Sequence, residues 1–162
     1  MAQVTIKKVE YSELDKCAEL IRDSFNTVAK EFGLTYQNCP TNGAFIKTSR
    51  LVSDWNKGNL MFGLYYDAIL VGFMELELTV SDVYTLEKLA VHPDFRHLGY
   101  GTALLSYAGQ IAIENHISKI SIGIIEENTR LKCWYHNHGF THTRTVHFEH
   151  LPFKVGFMEQ RI

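Results

Sequence analysis

The residues best suited to chemistry lie between Leu86 and Leu105, in the sequence LEKLAVHPDFRHLGYGTALL. An apolar, strand-like run ends there at a proline turn, and Arg96-x-x-Gly99-x-Gly101 then opens a helical pattern. Glycines let a backbone come close to a ligand, and the first N–H groups of a helix have no partner within it. Together with the helix dipole, such groups can hold a phosphate or pyrophosphate, to which Arg96 would add charge-assisted hydrogen bonds.

Two better-known phosphate loops do not fit this segment. The chain contains no G-x-x-x-x-G-K-S/T sequence, which excludes a Walker-type nucleotide site. The run GYGTAL that begins at Gly99 lacks the third small residue of a dinucleotide fingerprint, and no suitable βαβ unit surrounds it. A surface turn whose glycines only satisfy backbone geometry is the alternative that this segment leaves open.

A second informative segment runs from Asn128 to Phe140, with the sequence NTRLKCWYHNHGF. Asn128 is placed to cap a short helix, because its side chain can accept a hydrogen bond from a first-turn N–H group. Leu131 and Tyr135 are four residues apart and therefore share a helix face. Gly139 then suits the left-handed position that ends a helix. Taken alone, Tyr135 is more typical of a half-buried packing residue than of a catalyst.

An alternation of strands and helices has to position these two segments. Hydrophobic periodicity and turn residues predict the element order βααβββαβαββ, a mixed α/β layer fold. We predict strands over 4–9, 61–66, 69–78, 84–91, 119–125, 142–149 and 153–161, and helices over 12–28, 42–56, 99–116 and 129–137. Ser12 is the predicted N-cap of the first helix. No repeat, linker or low-complexity stretch divides the sequence, so residues 1–162 are expected to form one domain.

The composition excludes several classes of function. Sixteen Lys and Arg against eighteen Asp and Glu give a net charge of −2, which argues against a large nucleic-acid or anionic-membrane surface. No apolar run is long enough to span a membrane, and the N-terminal sequence does not resemble a signal peptide. The three cysteines form no C-x-x-C pair. We therefore expect a reducing, cytoplasmic location. The eight histidines form no H-E-x-x-H motif, and we expect no metal.

In this order and spacing, the two segments resemble the signatures of the GNAT superfamily of N-acetyltransferases. The first signature is Arg/Gln-x-x-Gly-x-Gly/Ala after a Val-x-Pro turn, which is matched by Val91-His92-Pro93 and by Arg96 to Gly101. The second is matched by Asn128, Leu131, Tyr135, Gly139 and Phe140, with leucine at position 131 where the family often has alanine. The resemblance covers nearly the whole chain, because the predicted element order agrees too. It implies the GNAT fold and a transfer of acetyl from acetyl-CoA to an amine, without a metal.

The resemblance also implies where acetyl-CoA binds. The pantetheine arm would pair with the backbone of the strand at Leu89, Ala90 and Val91. The pyrophosphate would be held by Arg96 and by the N–H groups of His97, Leu98, Gly99, Tyr100, Gly101 and Thr102. Asn128 and Tyr135 would line the opposite wall near the thioester, and Tyr135 would be the acid that protonates the leaving thiolate.

Because a primary amine is mostly protonated at neutral pH, the transfer needs either a general base, often acting through water, or a sufficient fraction of free amine. Glu87 is the candidate, since strand alternation places it on one face with Leu89 and Val91, the face expected to meet the cofactor. The open alternative for Glu87 is a solvated carboxylate or a partner of Lys88 or Arg130. A backbone N–H group near Leu89 would polarise the thioester carbonyl.

The acceptor is expected to be a small-molecule primary amine. In the family, the segment at about 26–45 shapes the acceptor side, and aromatic residues here predict either an aromatic cleft or the core of the helical layer: Phe25, Phe32, Tyr36, Phe45 and Trp55. Two alternatives stay open, a protein or peptide acceptor and a non-catalytic acyl-CoA sensor; intact Arg96, Asn128 and Tyr135 favour an enzyme. The late strands often pair between subunits in this family, so a homodimer is an expectation that the sequence does not establish.

Overall fold

The computed structural model describes residues 2–162, and its elements follow the predicted order. The strands are β1 (Val4–Lys8), β2 (Leu60–Tyr66), β3 (Ile69–Val80), β4 (Val83–Val91), β5 (Lys119–Ile125), β6 (Thr141–His147) and β7 (Lys154–Arg161). The helices are α1 (Leu14–Glu31), α2 (Thr48–Asn56), α3 (Tyr100–Glu114) and α4 (Thr129–Asn137). The predicted mixed α/β fold class is confirmed.

The first two helices begin later than predicted, each for a local reason. Before α1, residues Tyr11–Glu13 form a 3₁₀ turn with a reciprocal capping box between Glu10 and Glu13, so the prediction of Ser12 as N-cap is wrong. Before α2, a second 3₁₀ turn is capped by Asn42, and the extended backbone at Ile46 then interrupts the helical path. Local side-chain caps therefore displace the helix starts that periodicity alone predicts.

A seven-stranded sheet has the order β1-β2-β3-β4-β5-β7-β6. Every neighbouring pair is antiparallel except β4 and β5, which run parallel. These two strands pair only at their beginnings, where Val83–Thr85 meets Lys119–Ser121, and beyond that point they separate. The sheet thus carries an opening in its middle that widens toward the carboxyl ends of β4 and β5.

Two hydrophobic clusters hold the helices on opposite faces of this sheet. Leu104 and Ala108 of α3 and Tyr135 of α4 are buried on one face, against residues such as Leu76 and Ile122. On the other face, α1 and α2 pack against the sheet through a separate cluster that includes Leu14, Ile21, Leu51, Met61 and Phe73. Within residues 2–162, none of the helices has the combination of length and apolar character that a bilayer crossing requires.

Candidate active site

The opening between β4 and β5 leaves two facing backbone edges. Residues 86–91 of β4 pair with β3 on one side only, and residues 122–125 of β5 pair only with β7. Backbone N–H and C=O groups need partners when they are removed from water, so an extended ligand can add to these edges as a strand would. The predicted pantetheine residues Leu89, Ala90 and Val91 all lie on the free edge of β4.

The wide end of the opening is bordered by the start of α3. The loop before this helix uses left-handed backbone conformations at His97 (φ 63°) and Gly99 (φ 85°), and Gly99 is the N-cap residue. Among the described residues, the six consecutive backbone N–H groups from His97 to Thr102 donate to no protein acceptor; the first bond of the helix runs from Ala103 N–H to the Gly99 carbonyl. Such a concave row of free donors at a helix N-terminus is an anion-binding arrangement.

The Arg96 side chain has partners other than those predicted. Its guanidinium donates to the Ser24 carbonyl (2.7 Å), the Ser24 hydroxyl (3.3 Å) and the Thr27 hydroxyl (3.0 Å), all on α1. Burial lowers the pKa of Arg96, but a guanidinium group stays charged at neutral pH in proteins. The guanidinium therefore ties the loop before α3 to α1, while the loop's backbone N–H groups are left free.

The second predicted segment lies beyond the end of β5, where α4 begins. The prediction that Asn128 caps this helix is confirmed, since its side-chain oxygen accepts from the Leu131 N–H group at 3.2 Å. Tyr135 is buried, and its ring makes edge contacts with Trp134 and Phe140. Its hydroxyl has no hydrogen-bond partner within residues 2–162, and burial raises the pKa of Tyr135. A phenol in this state keeps its proton and can donate it.

Glu87 lies on the opposite face from the one predicted. Along β4, Glu87 faces Glu75 and Ala90 faces Phe73, so two residues of β4 stand against one of β3, which defines a β-bulge. The bulge occurs at Lys88, whose φ is 55°. The extra residue reverses the alternation, and the prediction that Glu87 shares a face with Leu89 and Val91 is wrong.

The face assignments follow from the packing on each side of the bulge. Leu89 and Val91 pack on the α3 and α4 side, within the cluster that also contains Leu86 and Tyr135. Glu87 instead pairs across the strands with Glu75, on the side covered by α1 and α2. Glu87 and Tyr135 consequently approach the sheet from opposite faces.

The open alternative of Lys88 as a partner for Glu87 is realised, but within a larger group of charges. The Lys88 ammonium lies 3.0 Å from Asp54 of α2, 3.1 Å from Glu75 of β3 and 3.3 Å from Glu87. Although burial disfavours the charged form, the three carboxylates raise the pKa of Lys88. We call Asp54, Glu75, Glu87 and Lys88 the β4 charge cluster.

Sequence reasoning missed Asp54, Glu75 and the role of Lys88. In the run MELEL of β3, alternation places Glu75 and Glu77 together on a polar face, which is the pattern of a solvent-exposed surface. The structure instead buries Glu75 completely, because α2 covers this part of the face. The sequence carries no signal for the bulge either, since lysine is an unusual residue at a positive φ.

The predicted aromatic cleft is only partly present. Phe25 and Trp55 pack within the α1 and α2 cluster, as the alternative of a helical core predicts. Phe32 belongs to a third cluster, in which the segment after α1 and the β6–β7 connection meet above Ile125, the last residue of β5. Tyr36 is exposed and contacts the edge of Phe45. These two segments thus pack over the end of β5.

Comparison with known proteins agrees with this geometry. The sequence profile of the acetyltransferase (GNAT) family matches residues 22–140. A spermidine N(1)-acetyltransferase of Thermoplasma acidophilum is 25% identical over 142 residues, which are 85% of this chain and 88% of that protein. The chain therefore belongs to the GNAT family of acetyltransferases.

Solved structures support the same fold. The PaiA N-acetyltransferase of Thermoplasma acidophilum, in complex with coenzyme A, superposes with a TM-score of 0.77 at 20% identity, over 99% of both chains. A ribosomal-protein-alanine N-acetyltransferase from Brucella melitensis superposes with a TM-score of 0.75 at 15% identity, over 98% of this chain and 99% of that chain. At these identities, the likeness concerns the fold.

The Arg96 contacts lead to a stability prediction. Arg96→Ala removes charge-assisted hydrogen bonds to α1 and should lower the free energy of unfolding by about 1–3 kcal/mol. Thermal unfolding of the ligand-free protein measures this as a drop in Tm of several degrees. Arg130→Ala is the matched control, because the exposed Arg130 contacts only the Glu31 carboxylate and should leave the Tm almost unchanged. If Arg96→Ala leaves the Tm unchanged but weakens acetyl-CoA binding, Arg96 binds the pyrophosphate and does not stabilise the fold.

Proposed function

We propose that this protein transfers the acetyl group of acetyl-CoA directly to a small-molecule primary amine, with both substrates bound at once. The observation that carries the proposal is the combination of two free strand edges with six free N–H groups at the wide end of the opening between them. An extended amide-containing arm that ends in a pyrophosphate has the chemistry to satisfy both features. Acetyl-CoA has that shape and carries an activated acyl group.

The cofactor residues fall into two groups. Leu89, Ala90 and Val91 would bind the pantetheine arm through the β4 backbone, and the backbone of residues 97–102 would hold the pyrophosphate. Asn128 would border the opening from the start of α4. The thioester that the cofactor brings is what makes the acyl carbon reactive; no residue of this chain has to form a covalent bond with it.

The bulge at Lys88 separates the two substrates. With the cofactor on the α3 and α4 side, the acceptor would enter from the α1 and α2 side and meet the thioester in the opening. The Glu87 side chain is 30% exposed on that second side, where it can take a proton from an ammonium group. An amine with a pKa near 10 carries about 4 kcal/mol of protonation free energy at pH 7, which a base has to offset.

Tyr135 would act on the other side of the sheet. After the amine attacks the thioester carbon, the C–S bond breaks and its electron pair goes to sulfur. The unpartnered Tyr135 hydroxyl would give its proton to that thiolate, and the proton taken from the amine would restore the phenol through solvent. This role needs a protonated phenol, and burial, which raises the pKa of Tyr135, keeps the proton on its hydroxyl at neutral pH until the thiolate forms beside it.

A small acceptor is supported by the packing of two segments over the end of β5 on the α1 and α2 side. The segment after α1 contributes Leu34 and Cys39 to the cluster over Ile125, and the β6–β7 connection contributes Leu151 and Phe153. Because these residues pack over the end of β5, on the side from which the acceptor would enter, a slender amine would fit there more easily than a polypeptide. The negative charge of the β4 charge cluster also favours a cationic acceptor.

A panel of acceptors tests the proposed function. The purified protein is incubated with acetyl-CoA and, in turn, spermidine, a short diamine, an aminoglycoside and peptides with a free N-terminus or lysine, and CoA thiol release is followed. We expect release with a small amine and little with peptides. Preferred turnover of a peptide would establish a protein acceptor instead, and binding of acetyl-CoA without release for any amine would favour the sensor.

Substituting Tyr135 by phenylalanine tests the acid. Tyr135→Phe keeps the ring contacts with Trp134 and Phe140 and removes only the hydroxyl, so kcat should fall by about 10²-fold while the Kd for acetyl-CoA stays within twofold. Steady-state kinetics and calorimetric titration measure the two quantities. Tyr107→Phe serves as the control, since that ring packs on Phe62 away from the opening. Equal turnover by wild type and Tyr135→Phe would remove Tyr135 from the mechanism.

A further inference from the structure

The β4 charge cluster has a buried end and an open end. An ammonium group has three protons, and Lys88 directs them to Asp54, Glu75 and Glu87, whose side chains are 4%, 0% and 30% exposed. Glu87 alone therefore reaches the α1 and α2 side of the opening. The other two carboxylates can affect an acceptor only through Lys88 and Glu87.

Glu75 has one oxygen that the cluster does not satisfy. Its Oε2 accepts from Lys88 Nζ at 3.1 Å and from Asn59 Nδ2 at 2.9 Å. Its Oε1 is the one side-chain oxygen or nitrogen in residues 2–162 that both lacks solvent contact and has no hydrogen-bond partner, whereas Tyr135 keeps an exposed fraction of 5%. A carboxylate oxygen is costly to bury in that state. A proton on Glu75 removes the conflict, because a protonated carboxyl group can donate a hydrogen bond to the neighbouring Asp54 carboxylate.

The surroundings of Glu75 favour a proton that is exchanged near neutral pH. Three titratable groups face Glu75: Lys88 and Glu87 of β4 and Asp54 of α2. Arg50 lies behind Asp54, and the residue of β2 that pairs with Glu75 is the uncharged Met61. Burial raises the pKa of Glu75 to about 7, against the opposing effects of Lys88 and Asn59. For Asp54, burial is outweighed by hydrogen bonds from Lys88 and Glu75 and by the charge of Arg50, which lower its pKa.

We infer that Glu75 is a positioning residue whose protonation state controls, through Lys88, how well Glu87 accepts a proton from the acceptor amine. This inference rests on the proposed function. When Glu75 is protonated, the Lys88 charge is shared between the carboxylates of Asp54 and Glu87. When Glu75 is ionised, Lys88 is attracted more strongly to the buried pair, and a further negative charge lies beside Glu87. Glu87 then holds a proton more strongly and also attracts a cationic acceptor more strongly.

The substitution Glu75→Gln tests this inference because it imitates the protonated state. Glutamine has the same shape, its amide can donate to Asp54, and its oxygen can accept from Lys88 and Asn59. We expect the kcat/KM of the variant to match that of the wild type near pH 6. Near pH 8.5 it should be about tenfold lower, the effect of an interaction worth one pKa unit. Spermidine, or the panel amine with the fastest turnover, is the acceptor.

The ratio of wild-type to variant kcat/KM is the quantity to follow, because the titration of the amine itself cancels from it. Glu77→Gln is the matched control: Glu77 follows on the same strand and face but pairs with Lys57, so its ratio should not change with pH. In a Glu87→Gln background, adding Glu75→Gln should have no further pH-dependent effect. A ratio for Glu75→Gln that is constant with pH, whether near one or much greater, overturns the inference.

A direct titration separates this inference from the proposed function, because it needs no acceptor. In protein labelled with ¹³C at the glutamate carboxyl groups, one resonance should titrate near neutral pH and be missing in Glu75→Gln. If every glutamate carboxyl group ionises in the acidic range, the inference is wrong, whatever the panel shows. If the neutral titration is present and no amine is acetylated, the proposed function is wrong and Glu75 still holds its proton. Should Glu75→Gln fail to fold, the wild-type titration alone decides.

Discussion

The separation of β4 from β5 is the constraint on which the rest of this structure depends. Two parallel strands that begin as neighbours and then diverge leave unpaired N–H and C=O groups in the middle of a sheet. An apolar side chain in that space would leave those groups without hydrogen bonds, so they need either water or a polar, extended partner. The helices that follow both strands start at its wide end, where both add positive dipole ends and the N-terminus of α3 also adds free donors.

The β-bulge at Lys88 gives this opening two chemically different sides. Without the extra residue, Glu87 would face the same cluster as Leu89 and Val91 and would meet the cofactor. With it, a carboxylate faces the side of α1 and α2, while the Tyr135 phenol remains on the other side. In the proposed function, Tyr135 as the acid and Glu87 as the base would thus act on one bond from opposite sides without contacting each other. The Lys88 ammonium at the bulge is paired with two buried carboxylates, Asp54 of α2 and Glu75 of β3.

Much of this account could be predicted from the sequence, since its motifs are local. Arg96 to Gly101 marks a helix start, Asn128 is a cap, and hydrophobic periodicity gives nearly every strand. What could not be predicted depends on contacts between distant elements. The β-bulge arises from pairing with β3, the burial of Glu75 arises from the covering α2, and the Arg96 guanidinium finds its partners on α1. Alternation within a single strand contains none of this information.

The claim that the opening is completed by acetyl-CoA is tested most directly by amide hydrogen exchange at single-residue resolution, with and without the ligand. Free backbone N–H groups at residues 97–102 should exchange quickly in the ligand-free protein and become strongly protected with acetyl-CoA or CoA, together with amides on the free edge of β4. Amides in the β1–β2 pair serve as the internal reference and should change little, and ATP or NAD should produce no comparable protection. If residues 97–102 exchange equally fast with saturating acetyl-CoA, the opening between β4 and β5 is not its binding site.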